Sequence, residues 1–280
     1  MRLYITLLVT TLFFSTPLRA QAPDDYLIYS VLIEFDNGAS ASGFFCQSGT
    51  NVFLATARHV LFAPNTTNLN ARSATVIFYP NRVFTHATTP TRAEMTIDLV
   101  GLSTNGLIRA HPTQDAVVAL IGTTIPSTTN GNLVYNDFTK CANPSANPIG
   151  VNPLHPIYDD LRVGTDAFVF GYPRSIGIKD IPGLTLPEQI DYDLPLVKKC
   201  IVSGKNPKSR TIILDTSAHF GNSGGPVFAL QSGAVIGVIS EYIPFVERIT
   251  NDTYRYSNIQ FSNSGYSVVV STDSILEILW

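Results

Sequence analysis

The sequence predicts an all-β protein with enough apolar material for one large domain or two lobes. Three observations carry this prediction. Of 280 residues, 45% are hydrophobic and only 14% are charged. Short β-type runs recur with turn signals between them, and helical periodicity is nearly absent until residues 274–280. Many short strands with little helix argue for a sandwich or barrel.

The first series of strands opens at 26–35 and is followed by Asp36-Asn37-Gly38, a hairpin signature. It continues through 42–46, 52–55, 74–79, 95–102 and 116–121. A second series covers 132–135, 167–172, 196–202, 211–214, 226–230, 234–240, 254–261 and 266–270. Gln231-Ser232-Gly233 turns one of these into the next. Between the series, residues 122–131 are rich in Thr, Ser, Pro and Gly and read as a connector. Lobes are therefore expected at 24–125 and 126–280. The Pro-rich segments 141–165 and 173–195 read as surface loops. Ser274 and Glu277 have capping-box spacing, which predicts a short C-terminal helix.

Residues 1–20 read as a secretory signal: Arg2, an apolar run from Leu3 to Phe14, then Ser15-Thr16-Pro17-Leu18-Arg19-Ala20. The run is shorter than the ~20 apolar residues that span a bilayer. Cleavage after Ala20 is favoured over Ala22, because Pro23 is an unfavourable first mature residue; an uncleaved anchor is the alternative. Removing this segment takes two of the 18 basic residues and none of the 21 acidic ones. A mildly acidic export product has no general pull toward nucleic acid or anionic membrane. No stable membrane insertion is expected after cleavage, and the destination is secreted or periplasmic.

The cysteines, Cys46, Cys141 and Cys200, are odd in number and match no metal spacing. In an oxidising compartment one disulfide is expected, between Cys141 and Cys200 in their polar surroundings. Cys46, inside an apolar run, is expected as a small buried hydrophobe.

Chemistry concentrates in three segments. Gly221-Asn222-Ser223-Gly224-Gly225-Pro226 places a serine in a glycine-rich turn, which exposes a hydroxyl beside backbone N–H groups able to hold an oxyanion. Thr56-Ala57-Arg58-His59-Val60 puts a histidine at a strand end, where it can act as general base. His111-Pro112-Thr113-Gln114-Asp115 leads into an apolar strand, so Asp115 can hold the imidazole's other N–H. The order His59, Asp115, Ser223 fits one lobe carrying base and orienter and the other carrying the nucleophile.

These segments, Ala55-Thr56-Ala57-Arg58-His59, Asp115-Ala116-Val117-Val118-Ala119-Leu120 and the serine turn, resemble the signature segments of chymotrypsin-like serine proteases. Asn222 and the upstream Phe170-Gly171-Tyr172-Pro173 look like the bacterial HtrA-type, trypsin-like branch. The resemblance implies two packed six-stranded antiparallel β-barrels with the site in the cleft between them. It implies Ser223 as nucleophile, His59 as proton carrier, Asp115 as orienter, and the N–H groups of Gly221 and Ser223 as oxyanion hole. It implies a protein or peptide substrate, no metal and no organic cofactor. Asn222 stands where zymogen-activated relatives carry an aspartate, and Val60 where the cysteine partner of Cys46 would lie. A single protease domain without a PDZ domain is expected.

By the same analogy Ser217 lies at the base of the primary pocket and Ser240-Glu241-Tyr242 forms its wall. His219 is a further pocket candidate, facing an acidic substrate side chain. The cluster Lys198, Lys199, Lys205, Lys208 and Arg210 reads as a solvated loop. Asn65-Thr66-Thr67 and Asn251-Asp252-Thr253 are formal glycosylation acceptors. Two other functions fit the same residues: a protease-like binding protein whose triad is inert, and an ester hydrolase.

Overall fold

A computed structural model describes residues 26–80, 91–125, 132–142, 152–173, 191–251 and 253–280. The signal segment 1–20 and the connector residues 126–131 lie outside them. Ten strands form one sheet: β1 (Val31–Phe35), β2 (Ser40–Ser48), β3 (Asn51–Thr56), β4 (Ser73–Phe78), β5 (Ala93–Asp98), β6 (Ile108–Ala110), β7 (Val117–Ile125), β8 (Asn132–Tyr135), β9 (Thr139–Cys141) and β10 (Asn152–Pro153). Their order is β6-β7-β3-β2-β1-β4-β5-β9, with β8 on β7 and β10 on β2. Six more close a barrel in the order β11-β12-β13-β16-β15-β14. These are β11 (Asp166–Gly171), β12 (Leu196–Asn206), β13 (Thr211–Leu214), β14 (Pro226–Ala229), β15 (Val235–Asn251) and β16 (Tyr256–Ser271).

The all-β expectation holds, with two corrections. The first lobe is a curled sheet and not a closed six-stranded barrel; only the second lobe closes. Residues 132–141 also fall on the other side of the expected boundary, because β8 pairs with β7 and β9 with β5.

Period-two alternation explains how the lobes join. On β2, Phe45 enters the first lobe's core beside Ile33, Leu54 and Met95, while Phe44 and Cys46 face the opposite way. On β11, Ala167 and Val169 enter the barrel core, while Phe168 and Phe170 turn outward. The outward residues meet Phe53, Val118, Phe228 and Val238 in a third apolar layer between the lobes. Strands buried on both faces read as continuous apolar runs, as these do. Cys46 sits in this layer as the expected buried hydrophobe.

The expected strand 95–102 is split. Asp98 caps helix α2 (Leu99–Thr104), its carboxylate accepting the Gly101 N–H at 2.9 Å. Helix α1 (Arg58–Leu61) carries His59. The C-terminal helix α3 (Thr272–Leu276) starts before the expected Ser274, and no side chain caps it. Together with the residues that follow it, Glu277 and Trp280, it straps the lobes together. Asp273 accepts the N–H groups of Ile157 and Tyr158 at 3.1 Å each, and Arg210 at 2.8 Å. Trp280 packs edge-on against Phe53 at 4.8 Å, with Arg109 over its ring at 3.7 Å.

The expected Cys141–Cys200 disulfide does not form; all three cysteines are thiols. Cys141 lies on β9 against the first core, whereas Cys200 lies on β12 inside the barrel core. Burial, then the charges of Asp215 and Asp166, push the Cys200 thiol up to about 12. The basic cluster is also more than a solvated loop. Lys198 Nζ donates to the Ser217 carbonyl at 2.7 Å, and Lys205 Nζ donates to the carbonyls of Tyr158 and Leu161. Denatured but unreduced protein should therefore bind three equivalents of a thiol reagent. One equivalent would restore the disulfide.

Candidate active site

Three structural devices build the site. The first is a one-turn helix after β3. Its start places His59 beside the end of the 111–115 loop, and Asn70 Nδ2 donates to the His59 carbonyl at 2.8 Å. The second is that loop. The His111 ring Nδ1 accepts the N–H groups of Gln114 at 2.9 Å and Thr113 at 3.2 Å, and its Nε2 faces Glu277 at 2.8 Å. Two donors on Nδ1 require the Nε2–H tautomer. A buried histidine thereby shapes the loop that presents Asp115.

Asp115 collects three donors. Its Oδ1 accepts the His59 backbone N–H at 2.9 Å, and its Oδ2 accepts from His59 Nδ1 at 2.7 Å and from the Ser240 hydroxyl at 2.5 Å. Burial works against the carboxylate, but the bonds from His59 and Ser240 outweigh it and hold Asp115 below the usual range. Burial likewise disfavours the imidazolium; the Asp115 bond and charge, with the charge of Glu241, overcome it and raise His59 above its ordinary value. The His59 side chain is 44% exposed, so its other edge meets solvent.

The third device is the serine turn. Gly221 has φ +98° and Gly224 φ +82°, left-handed values that favour glycine. A Cβ on Gly224 would lie 1.9 Å from Thr56 Oγ1 and 2.3 Å from the Ser42 carbonyl. Ser42, on β2, clamps the turn from the first lobe. Its N–H donates to the Ser223 carbonyl at 3.0 Å, its hydroxyl to the Gly221 carbonyl at 2.6 Å, and that hydroxyl accepts the Tyr172 N–H at 2.9 Å. Gly224 N–H donates to the Ile239 carbonyl. Among the described residues, the N–H groups of Gly221 and Ser223 have no backbone acceptor.

The sequence-predicted residues converge only in part. His59, Asp115, His219, Ser223, Ser240, Glu241 and Tyr242 line one cleft of about 490 Å³, together with Ala218 and Phe220. Ser217 is not in that lining; its carbonyl is engaged by Lys198. The Ser223 hydroxyl donates to the Ser240 carbonyl at 3.4 Å and forms no bond to His59. The Asp–His half of the expected relay is made; the His–Ser half is not. Free catalytic sites often hold such pairs loosely until substrate binds. Burial, then the charge of Lys198, lowers His219, which is therefore neutral at neutral pH. Ser42, His111, Ala218 and Phe220 escaped the sequence reading. Ser42 sits in an apolar run that reads as plain strand, and His111 was quoted without a role. Among the described residues, no group of three His, Cys, Asp or Glu side chains could hold a metal ion.

Gly224→Ala should combine a clash with ~1–2 kcal/mol of left-handed strain, lowering the thermal midpoint and misaligning Ser223. Thermal unfolding checks this; an unchanged midpoint would mean that the turn is not tightly packed.

A family model for the trypsin-like peptidase domain matches residues 41–238. No curated protein sequence matches the chain. Among solved structures, the thermostable serine protease AL20 from an extremophilic microorganism is similar, with TM-score 0.51 and 14% identity over 91% of this chain and 96% of its own. The serine endoprotease of Yersinia pestis aligns at TM-score 0.46 and 14% identity, over 90% of this chain and 62% of its own. Deg5 aligns at TM-score 0.48 and 17% identity, over 90% and 88%. The present chain thus spans less than two thirds of the Yersinia enzyme's length, and at 14% identity the likeness to AL20 concerns the fold alone. The family model covers most of the chain, including β2, α1, Asp115 and the serine turn, and on that match the protein belongs to the trypsin-like peptidase domain family.

Proposed function

We propose that this protein is an exported serine endopeptidase using His59, Asp115 and Ser223, secreted or periplasmic in its destination. The observation that carries the reading is the position of the Asp115 carboxylate. It bonds the His59 ring on one side and Ser240, the residue whose carbonyl holds the Ser223 hydroxyl, on the other. His59 and Ser223 line the same cleft, and the reading requires the serine hydroxyl to leave the Ser240 carbonyl for the exposed edge of the imidazole.

In the reaction, Ser223 Oγ attacks the scissile carbonyl carbon while its proton passes to His59 Nε2. The carbonyl electron pair moves onto oxygen, which the Gly221 and Ser223 N–H groups hold; loss of one such donor typically costs ~3–4 kcal/mol. Collapse of the intermediate expels the amine, which takes the proton from His59. Water, deprotonated by the same ring, then releases the acid and regenerates the serine. Asp115 keeps Nδ1 protonated and stabilises the imidazolium. Ala218, Phe220 and Tyr242 offer the substrate side chain apolar contact, and Glu241 in the same lining disfavours an acidic one. No helix among the described residues is long and apolar enough to cross a membrane.

The mature protein should hydrolyse casein, and Ser223→Ala should reduce turnover by about a million-fold. Equal activity in the two proteins would refute the reading, and a folded protein that binds casein without cleaving it would be the inert binding protein. Because the ring must be neutral to accept a proton, kcat/KM should rise with pH through a His59 pKa above its ordinary value. Glu241→Gln removes one of the charges that raise it, so the acidic limb of the profile should move to lower pH. An unmoved or oppositely moved limb would contradict the assignment.

A further inference from the structure

Beyond Tyr242 the hairpin β15–β16 leaves the barrel. Strand β15 pairs with β14 only through Val235–Val238, and β16 with β13 only through Ser267–Val270. From Pro244↔Asn263 to Asn251↔Tyr256 the two strands pair only with each other among the described residues. This arm has about eight paired positions, so it is about 26 Å long and about 10 Å wide. Residues opposite each other share a face. Val246 faces Phe261, and Ile259 stands one pair further out on the same side, opposite Arg248. Val246 is 54%, Ile259 55% and Phe261 64% exposed. A two-stranded ribbon is marginal alone in water, and apolar residues on it call for a cover.

We propose that the arm is an exosite for an extended, apolar segment of the polypeptide being cleaved, which adds to the β15 edge beside Val246 and lays its side chains over the face that Val246 shares with Ile259 and Phe261. The inference rests on the peptidase reading above and extends it to the substrate class. Three observations select this occupant. Strand β15 runs from the cleft wall, Ser240-Glu241-Tyr242, into the arm through register shifts at 239–241 and 242–244, so a chain leaving the cleft follows the bent strand to the patch. Asn263 at the arm's base donates to the carbonyl of Ala218 in the cleft lining at 2.7 Å, tying the two together. One arm face offers roughly 260 Å² in plan from those dimensions, far below the ~800 Å² per partner of a stable protein–protein interface but suited to transient capture. The open edge supplies main-chain donors and acceptors for strand addition, Pro244 lacking one of the donors, and the side chains supply the apolar preference. Residues 243–263 carry two acids and two bases, so no net charge selects the ligand.

The test compares two substrates with wild-type protein, the triple variant Val246→Ser, Ile259→Ser, Phe261→Ser, and a variant in which an Asn-Gly turn replaces residues 245–262. One substrate is a fluorogenic tetrapeptide confined to the cleft; the other is reduced, carboxymethylated lactalbumin, a permanently unfolded chain. Both variants should leave tetrapeptide kcat/KM unchanged and raise KM for the unfolded chain about tenfold. Equal loss on both substrates, or no loss on either, overturns the proposal. So does an oligomer in wild type that sedimentation shows to dissociate in the variants, which would give the patch to a second copy. Binding of labelled carboxymethylated lactalbumin to Ser223→Ala protein, with and without the arm substitutions, keeps the question separate from turnover. Arm-dependent binding without hydrolysis of either substrate would refute the peptidase reading alone, and arm-independent binding would refute the exosite alone.

Discussion

A carboxylate that must be shared between two lobes sets the geometry of this protein. Asp115 belongs to the first lobe, yet one of its three donors, the Ser240 hydroxyl, comes from the barrel. Hydrogen bonds to a charged group contribute roughly 1.5–3 kcal/mol each, and a half-buried carboxylate that loses one is left partly unsatisfied. The lobes therefore cannot slide past each other without a cost at Asp115. The same contact joins the His59 ring on one side to Ser240 of the long β15 strand on the other, so imidazole, carboxylate and cleft wall are bonded in series.

A second inter-lobe clamp complements the first. Ser42 reaches from β2 to the carbonyls on either side of Asn222, and the glycines of the turn let β2, β3 and β11 approach the backbone where a Cβ would collide. Holding those carbonyls orients the turn while, among the described residues, the Gly221 and Ser223 N–H groups keep no backbone acceptor. Both left-handed positions are glycine, which adopts them without strain, and bonds to the neighbouring lobe hold the turn in that form. The apolar layer of Phe44, Phe53, Phe170 and Phe228 supplies the bulk cohesion beneath both clamps.

Much of this was legible in the sequence. The serine turn stands out by local composition, the histidine and the aspartate only through their order with it and the family resemblance, and most strands follow from runs that alternate or are wholly apolar. What escaped has physical reasons. The run 95–102 conceals a cap, because Asp98 interrupts the apolar pattern by one residue only and the helix it starts is six residues long. The cysteine pairing failed because polarity near a thiol says nothing about which lobe it occupies. Residues beyond the connector rejoin the first sheet because β8 folds back on β7 across it, while β9 and β10 pair with the distant β5 and β2, which no local signal encodes. The arm read as separate short strands, its tip lacking an Asn-Gly or Asp-Gly signature and using Arg255 at φ +53°. Ser217 was assigned to the pocket by analogy, but Lys198 engages its carbonyl from outside the cleft lining.

The central claim, that Ser223 is an activated nucleophile served by His59, is tested most directly by covalent labelling. Intact mass after exposure to a fluorophosphonate, followed across pH, should show one adduct, located on Ser223 by peptide mapping. Its formation should accelerate as His59 loses its proton and should vanish in His59→Ala. Folded protein that gains no adduct at any pH, or gains it on another residue, would contradict the account.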